Sequence, residues 1–289
     1  MKISAIKQRS LFILFSTTLL VNFAQAEIQK ISSMQDVKKK FESVHPEHTL
    51  GIFDLDLVIT IPKNPALQEK NLRMHSRIYQ QIMDSMTPIE KDYAGNMKNT
   101  LSGSCLVEKE APSIINDIQK KGIKLIGLTA TMCGRLGHIK CLEKKRGKEL
   151  RKFGIDFSPS FKELEATEFT NLNSFNHCYP SFRYGILFSN GEQSKNTKGQ
   201  LLTEFFKKIN VKYKTVVFID DKRSNLESVE NALKKYDPNI QFLGLEYTGA
   251  EKFPSSKVDD LTFLVVWEYL QKKSKELCAG QPKNLSALK

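Results

Sequence analysis

The chain has 289 residues, of which 40% are apolar and 26% charged, with five cysteines and a formal net charge of +12. This composition excludes disorder for most of the chain and suits one packed domain with an insertion, or two small domains. The surplus of positive charge favours anionic partners. Its lysines and arginines are scattered, as in KKK at 38–40 and KKRGK at 144–148, so no block reads as a nucleic-acid tail and no nucleic acid is expected as partner.

Residues 1–26 carry Lys2, Lys7 and Arg9, then an apolar run from Leu11 to Val21, then Ala24, Gln25 and Ala26. That order is expected of a secretory signal peptide cleaved after Ala26. The apolar run is too short to span a bilayer, so no stable membrane anchor is expected after cleavage. The expected location is the periplasm or the exterior. Removing three basic residues and no acidic ones takes the formal charge from +12 to +9. An oxidising compartment permits up to two disulfides among Cys105, Cys133, Cys141, Cys178 and Cys278, although buried free thiols fit equally well. A metal site built from Cys133, His138, Cys141, His177 and Cys178 matches no zinc spacing.

Residues 27–46 read as a helical lead-in stopped by Pro46, and 48–59 as a strand buried on both faces. After Pro62 and Pro65, the fourfold spacing of Met74, Ile78, Ile82 and Met86 predicts a helix limited by Pro88. Polar helical or loop sequence without a strand signal continues to about residue 110. A helix is expected at 112–121, closed by Gly122, then a short apolar strand in IKLIGLTA. Ile139, Leu142, Leu150 and Phe153 mark the next helix. Residues 155–183 yield only short aromatic pieces. A strand in YGILF, a helix from Lys198, a strand in TVVFIDD, a helix at 225–236 and a strand in IQFLGLEY follow. A last helix is expected at 259–273, with Asp259 and Asp260 at its start, where the helix dipole favours acids.

Alternating strands and helices predict an α/β fold, a Rossmann-like and mostly parallel sheet with helices on both faces. Ligands in such sheets bind at the carboxyl ends of the strands. Four positions there bear chemistry. Asp54 and Asp56 are two apart in FDLDLV, and close carboxylates push their pKa values apart, which suits a nucleophile and a proton donor. Thr129 ends KLIGLT and offers a hydroxyl and an amide to an oxyanion. Lys198 starts a helix, with Lys195 three residues before it as the competing lysine. Asp220 and Asp221 end TVVFI and offer the hard oxygens that Mg²⁺ prefers.

In this order, FDLDLV, LIGLTAT, LFSNGEQSKNTKG and VVFIDDKRSNL resemble the haloacid-dehalogenase-like superfamily of phosphohydrolases, specifically an exported bacterial branch. The resemblance covers about 48–250. It implies a core of 27–61 and 109–289, with a helical cap at 62–108. It also implies a Mg²⁺-dependent phosphatase acting on small phosphorylated substrates. Asp54 would be the nucleophile, Asp56 the acid and base, and Thr129 and Lys198 the phosphate ligands. Asp54, Asp56, Asp221, Asp220 and Asn225 would surround the metal. Asn225 stands where many members carry an acid, and Ala130 and Thr131 leave no arginine after Thr129. Two other expectations stay open. One is an exported binding or host-interaction protein with little catalysis, the other a phosphotransferase. Neither the leaving group nor the oligomeric state is legible.

Overall fold

A computed structural model describes residues 27–280, so the expected signal peptide lies outside the described residues. Eight strands form one sheet in which the central strand is β2 (Thr49–Phe53). On one side of β2 lie β9 (Thr215–Asp220), β10 (Gln241–Tyr247) and β1 (Glu27–Ile31), and on the other β5 (Lys124–Thr129) and β8 (Ile186–Phe188), all parallel. Antiparallel β7 (Ser181–Arg183) and β6 (Thr167–Glu168) finish the sheet. The result is a Rossmann-like α/β fold.

The strands sort their side chains with a period of two, as a sheet buried on both faces requires. Phe53, Val217, Ile219 and Leu125 face one apolar cluster, which helices α1 (Met34–Glu42) and α5 (Ala111–Lys120) cover. Leu50, Ile52, Val216, Phe218, Ile126 and Leu128 face the other, beneath α7 (Lys198–Ile209) and α8 (Arg223–Tyr236). After β2 the chain builds toward β5 and β8, then crosses by α7 to β9 on the opposite side of β2. A crevice therefore forms at the carboxyl end of the central strand.

The expected strand at 48–59 stops at Phe53. Leu57 adopts a left-handed backbone with φ of 64°, and the Leu57 amide donates to the Thr60 carbonyl at 2.8 Å. Leu55, Val58 and Ile59 remain fully buried in this turn, which explains why composition reads as strand where the backbone folds back. The lead-in also differs from expectation. Glu27–Ile31 is a strand because β10 offers it a parallel edge, a pairing invisible in five residues.

Between β3 (Thr60–Pro62) and β4 (Ser104–Leu106), an antiparallel pair, three helices form the insertion. They are α2 (Glu69–Met74), α3 (Ser76–Asp84) and α4 (Pro88–Ser102). Pro88 opens α4 as well as ending the preceding pattern, because Thr87 and Glu90 form a reciprocal capping box around it. The strand β4 lies in sequence that carried no strand signal. The last helix, α9 (Asp260–Ala279), packs with the insertion, where Phe263, Trp267 and Leu270 share a cluster with Leu67, Tyr93 and Met97. Its physical unit is thus the insertion, although by sequence it belongs to the segment assigned to the core. Asp259 caps α9 by accepting the Thr262 amide at 2.8 Å. Among the described residues no helix is long and apolar enough to cross a membrane.

Gly51 sits where β2 passes Phe41 of α1. A Cβ there would lie 2.4 Å from Leu125 Cδ2 and 2.7 Å from Phe41 Cζ. Overpacking of this kind costs about 1–3 kcal/mol. Gly51→Ala is expected to lose that much stability in urea unfolding, and an unchanged midpoint would show that the layer yields.

Candidate active site

A cavity of about 390 Å³ opens at the carboxyl ends of β2, β5 and β9 and is closed over by the insertion. Asp54 follows β2, and its amide donates to the Ile219 carbonyl of β9 at 2.9 Å, so the strand pairing carries one residue further. Asp54 is 6% exposed. Lys198 Nζ lies 2.8 Å from Asp54 Oδ1 and 2.6 Å from Asp220 Oδ2, and ties the two strand ends together. Lys195 is exposed.

The position of Lys198 depends on its neighbour. At Gly199, α7 approaches α8 so closely that a Cβ would lie 2.3 Å from the Ser228 carbonyl oxygen and 2.8 Å from Ala232 Cβ. Thr197 caps the helix by accepting the Gln200 amide. Together they hold the first turn of α7, and hence the lysine, against the strand ends.

The carboxylates divide into satisfied and free. Asp220 accepts from Lys198, from the Lys222 amide at 2.8 Å and from Asn225 Nδ2 at 3.0 Å. Asn225 therefore braces Asp220, with its amide nitrogen turned toward it. Asp54, Asp220 and Asp221 can place one oxygen each within 4.8 Å of one another, and no other residue's side chain donates to Asp221 among the described residues. Burial above all, helped by Asp220, pushes the Asp221 carboxyl up to about 6. Burial also raises Asp54 well above the usual carboxylate range; Lys198 opposes this, while Asp220, Asp221 and Asp56 add to it. For Lys198 burial favours the neutral form, but Asp220 and Asp54 outweigh it and hold the ammonium charged.

Asp56 lies outside that group of three. Its Oδ1 accepts from Arg146 Nη2 at 2.8 Å and from Asn99 of α4; Oδ2 has no hydrogen-bond partner among the described residues, and Asp56 lines the cavity. Arg146 projects from α6 (Leu142–Lys152), is 2% exposed, and also meets Glu149 at 2.6 Å. Sequence reasoning missed both Arg146 and Asn99. A signal existed for Arg146, which lies midway between Leu142 and Leu150 on the apolar face of its helix. It places a guanidinium in the cavity, where the sequence after Thr129 offered none. Asn99 had no signal, since its partner is 43 residues away.

Thr129 lines the cavity with Ala130 and Thr131. Its hydroxyl accepts the Thr131 amide at 3.1 Å and lies 2.9 Å from the Thr131 hydroxyl. The five cysteines are free thiols; Cys133 is buried, and burial pushes its thiol far above the usual range.

At the strand ends, the carboxylates of Asp54, Asp56 and Asp220 pair with two cations, Lys198 and Arg146, the second shared with Glu149, while Lys91, Lys98 and Lys222 also line the cavity. The grouped hard oxygens of Asp54, Asp220 and Asp221 suit a divalent cation of the Mg²⁺ class.

The family described as "Protein of unknown function (DUF2608)" matches residues 30–278. A protein of Rickettsia bellii is 26% identical over 252 residues, covering 83% of this chain and 84% of that one. One of Rickettsia felis is 27% identical over 251 residues, covering 83% and 82%. Both are described as uncharacterized. No solved structure matches.

Gly199→Ala is expected to cost about 1–3 kcal/mol, as overpacking does. Thermal unfolding checks it: a wild-type melting temperature would mean that the close approach of α7 to α8 does not hold Lys198 in place.

Proposed function

The chain belongs to the DUF2608 family, and we propose that it is an exported, Mg²⁺-dependent phosphatase of the haloacid-dehalogenase-like kind, acting on small phosphate monoesters. The observation that carries this reading is the juxtaposition of Asp54, Lys198 and Asp221 at three chain segments that meet only in the folded sheet. Export is supported by the basic, apolar and small-residue order of residues 1–26.

In this reading Asp54 is the nucleophile. One of its oxygens is held by Lys198 and the other has no hydrogen-bond partner among the described residues, so it is available to attack phosphorus. The P–O bond to the leaving group breaks as the bond to Asp54 forms, and the leaving oxygen takes a proton from Asp56 Oδ2. Water then attacks the aspartyl-phosphate, Asp56 takes back a proton, and inorganic phosphate and free Asp54 result. Splitting one difficult displacement in two in this way is the advantage of a covalent intermediate. Arg146 and Asn99 orient Asp56 by its other oxygen, Oδ1. Thr129 and Thr131 offer hydroxyls and an amide to the phosphoryl oxygens, and Lys198 neutralises charge between phosphate and nucleophile.

Asp54 and Asp221 are the side chains that would hold Mg²⁺, with Asp220 behind them and already saturated by three donors. When bound, the ion would supply positive charge that keeps Asp54 ionised and offsets the phosphoryl oxygens. Asp56 is engaged through Oδ1 by Arg146 and Asn225 through its amide nitrogen by Asp220, so in this reading they are the outer members of the set around the ion.

Hydrolysis of p-nitrophenyl phosphate by residues 27–289 with Mg²⁺ is expected, with loss of at least about a thousandfold in Asp54→Asn, a size typical of lost covalent catalysis. Metal-free inertness of both proteins follows. Equal turnover by wild type and variant would refute the proposal. A second expectation concerns pH. Below about 6 the Asp221 carboxyl keeps a proton that Mg²⁺ has to displace. Affinity should therefore rise with pH through that value, calorimetry giving roughly tenfold weaker binding at pH 5 than at pH 7.5. A flat profile would exclude Asp221 as ligand.

A further inference from the structure

Helix α4 presents two adjacent faces to the cavity. One is pinned to the core. Asp92 accepts the Gln193 amide at 2.8 Å and the Glu192 amide at 3.3 Å, Asn96 accepts the Met132 amide at 2.9 Å, and Asn99 donates to Asp56. Three loops at the strand ends thus fix the helix in place. The neighbouring face carries Lys91, Gly95 and Lys98, spaced i, i+4 and i+7, so all three lie along one line and all three line the cavity. The lysines are two turns apart, about 10.5 Å along the axis. Between them Gly95 has an ordinary helical backbone, and a Cβ there would meet nothing within 4 Å. Its missing side chain therefore leaves open space between two ammonium groups.

The other cations of the cavity are already engaged. Lys198 bridges Asp54 and Asp220, Arg146 bridges Asp56 and Glu149, and Lys222 lies 3.9 Å from Glu192. Lys91 and Lys98 have no carboxylate within ion-pair distance among the described residues. Neither is fully exposed, and a partly buried ammonium without a direct ion pair is unfavourable unless a ligand supplies one; Glu69, Asp56 and Asp221 act on Lys98 only from beyond contact. Resting on the phosphatase reading above, we propose that Lys91 and Lys98 receive a second anionic group, phosphate or carboxylate, carried by the leaving group of the substrate. The phosphate to be cleaved sits at Asp54 and the second anion at α4, so the substrate is a small molecule with two acidic groups at opposite ends. Leu67, Tyr79, Met83 and Trp267 also line the cavity and give the span between the two anions an apolar wall.

The test compares kcat/KM for glycerol 1-phosphate, 3-phosphoglycerate and glycerol 1,3-bisphosphate. Wild type is expected to prefer one or both doubly acidic esters over glycerol 1-phosphate by at least about tenfold, the scale of one charge-assisted contact. Preference for both identifies a general anion site, and preference for one alone tells phosphate from carboxylate. In Lys91→Gln/Lys98→Gln the ratio should collapse toward one, and Lys98→Arg, which keeps the charge, should retain it. A wild-type ratio near one, or a ratio that survives the double substitution, overturns the proposal. Turnover of none of the esters would count against the phosphatase reading instead. The same glycerol phosphates titrated calorimetrically into Asp54→Asn protein, with and without the lysine substitutions, then decide the second-anion site alone. Tighter binding of the bisphosphate that disappears with the lysines supports it, and equal affinities overturn it.

Discussion

An ammonium held between carboxylates on two neighbouring strands is the contact on which the rest of the site depends. Asp54 and Asp220 stand at the ends of adjacent parallel strands, where like charges in a buried setting repel. Lys198 offsets both at once. It reaches them because Gly199 lets α7 lie against α8, so a missing side chain on one helix sets the charge balance at the end of the sheet. Burial still raises the Asp54 carboxyl well above the usual range against that ammonium. The three grouped aspartates, Asp54, Asp220 and Asp221, outnumber the one ammonium between them, a local condition that a divalent cation satisfies.

A second clamp joins the two halves of the molecule. Asp56 is held through one oxygen by Arg146 from below the cavity and by Asn99 from the insertion. The same helix that supplies Asn99 is fastened by Asp92 and Asn96 to loops after β8 and β5. The insertion therefore shares polar contacts with the strand ends it covers, and its position is coupled to the side chain proposed to move protons. The buried cluster formed with α9 gives that layer an apolar core of its own, with Trp267 donating its indole N–H to the Ala66 carbonyl at 3.0 Å.

Much of the fold was legible because buried parallel strands are short apolar runs, and the helices between them keep a 3.6-residue period. TVVFID, KLIGLT and the helix from Lys198 appear where their patterns put them. The failures have two causes, a distant pairing partner and a turn that is buried like a strand. Glu27–Ile31 became a strand by pairing with β10, and 54–59 became a turn although its apolar residues are buried as deeply as a strand's. Ser104–Leu106 pairs with Thr60–Pro62 across the whole insertion. Periodicity reports burial and local propensity; it is blind to a partner forty residues or more away.

The sequence by itself determined the alternating order of elements and the acidic, hydroxyl and lysine residues at the strand ends, since a carboxylate in an apolar run is already a chemical statement. It left Lys195 and Lys198 as competitors. Tertiary structure decided which lysine is buried between the carboxylates and which carboxylates are saturated or free. It also decided that Arg146 and Asn99 hold Asp56, and that Lys91 and Lys98 line the cavity without an ion-pair partner among the described residues. Those outcomes depend on distances between residues far apart in the chain. Such distances exist only once the sheet, its crossovers and the helices over it have packed.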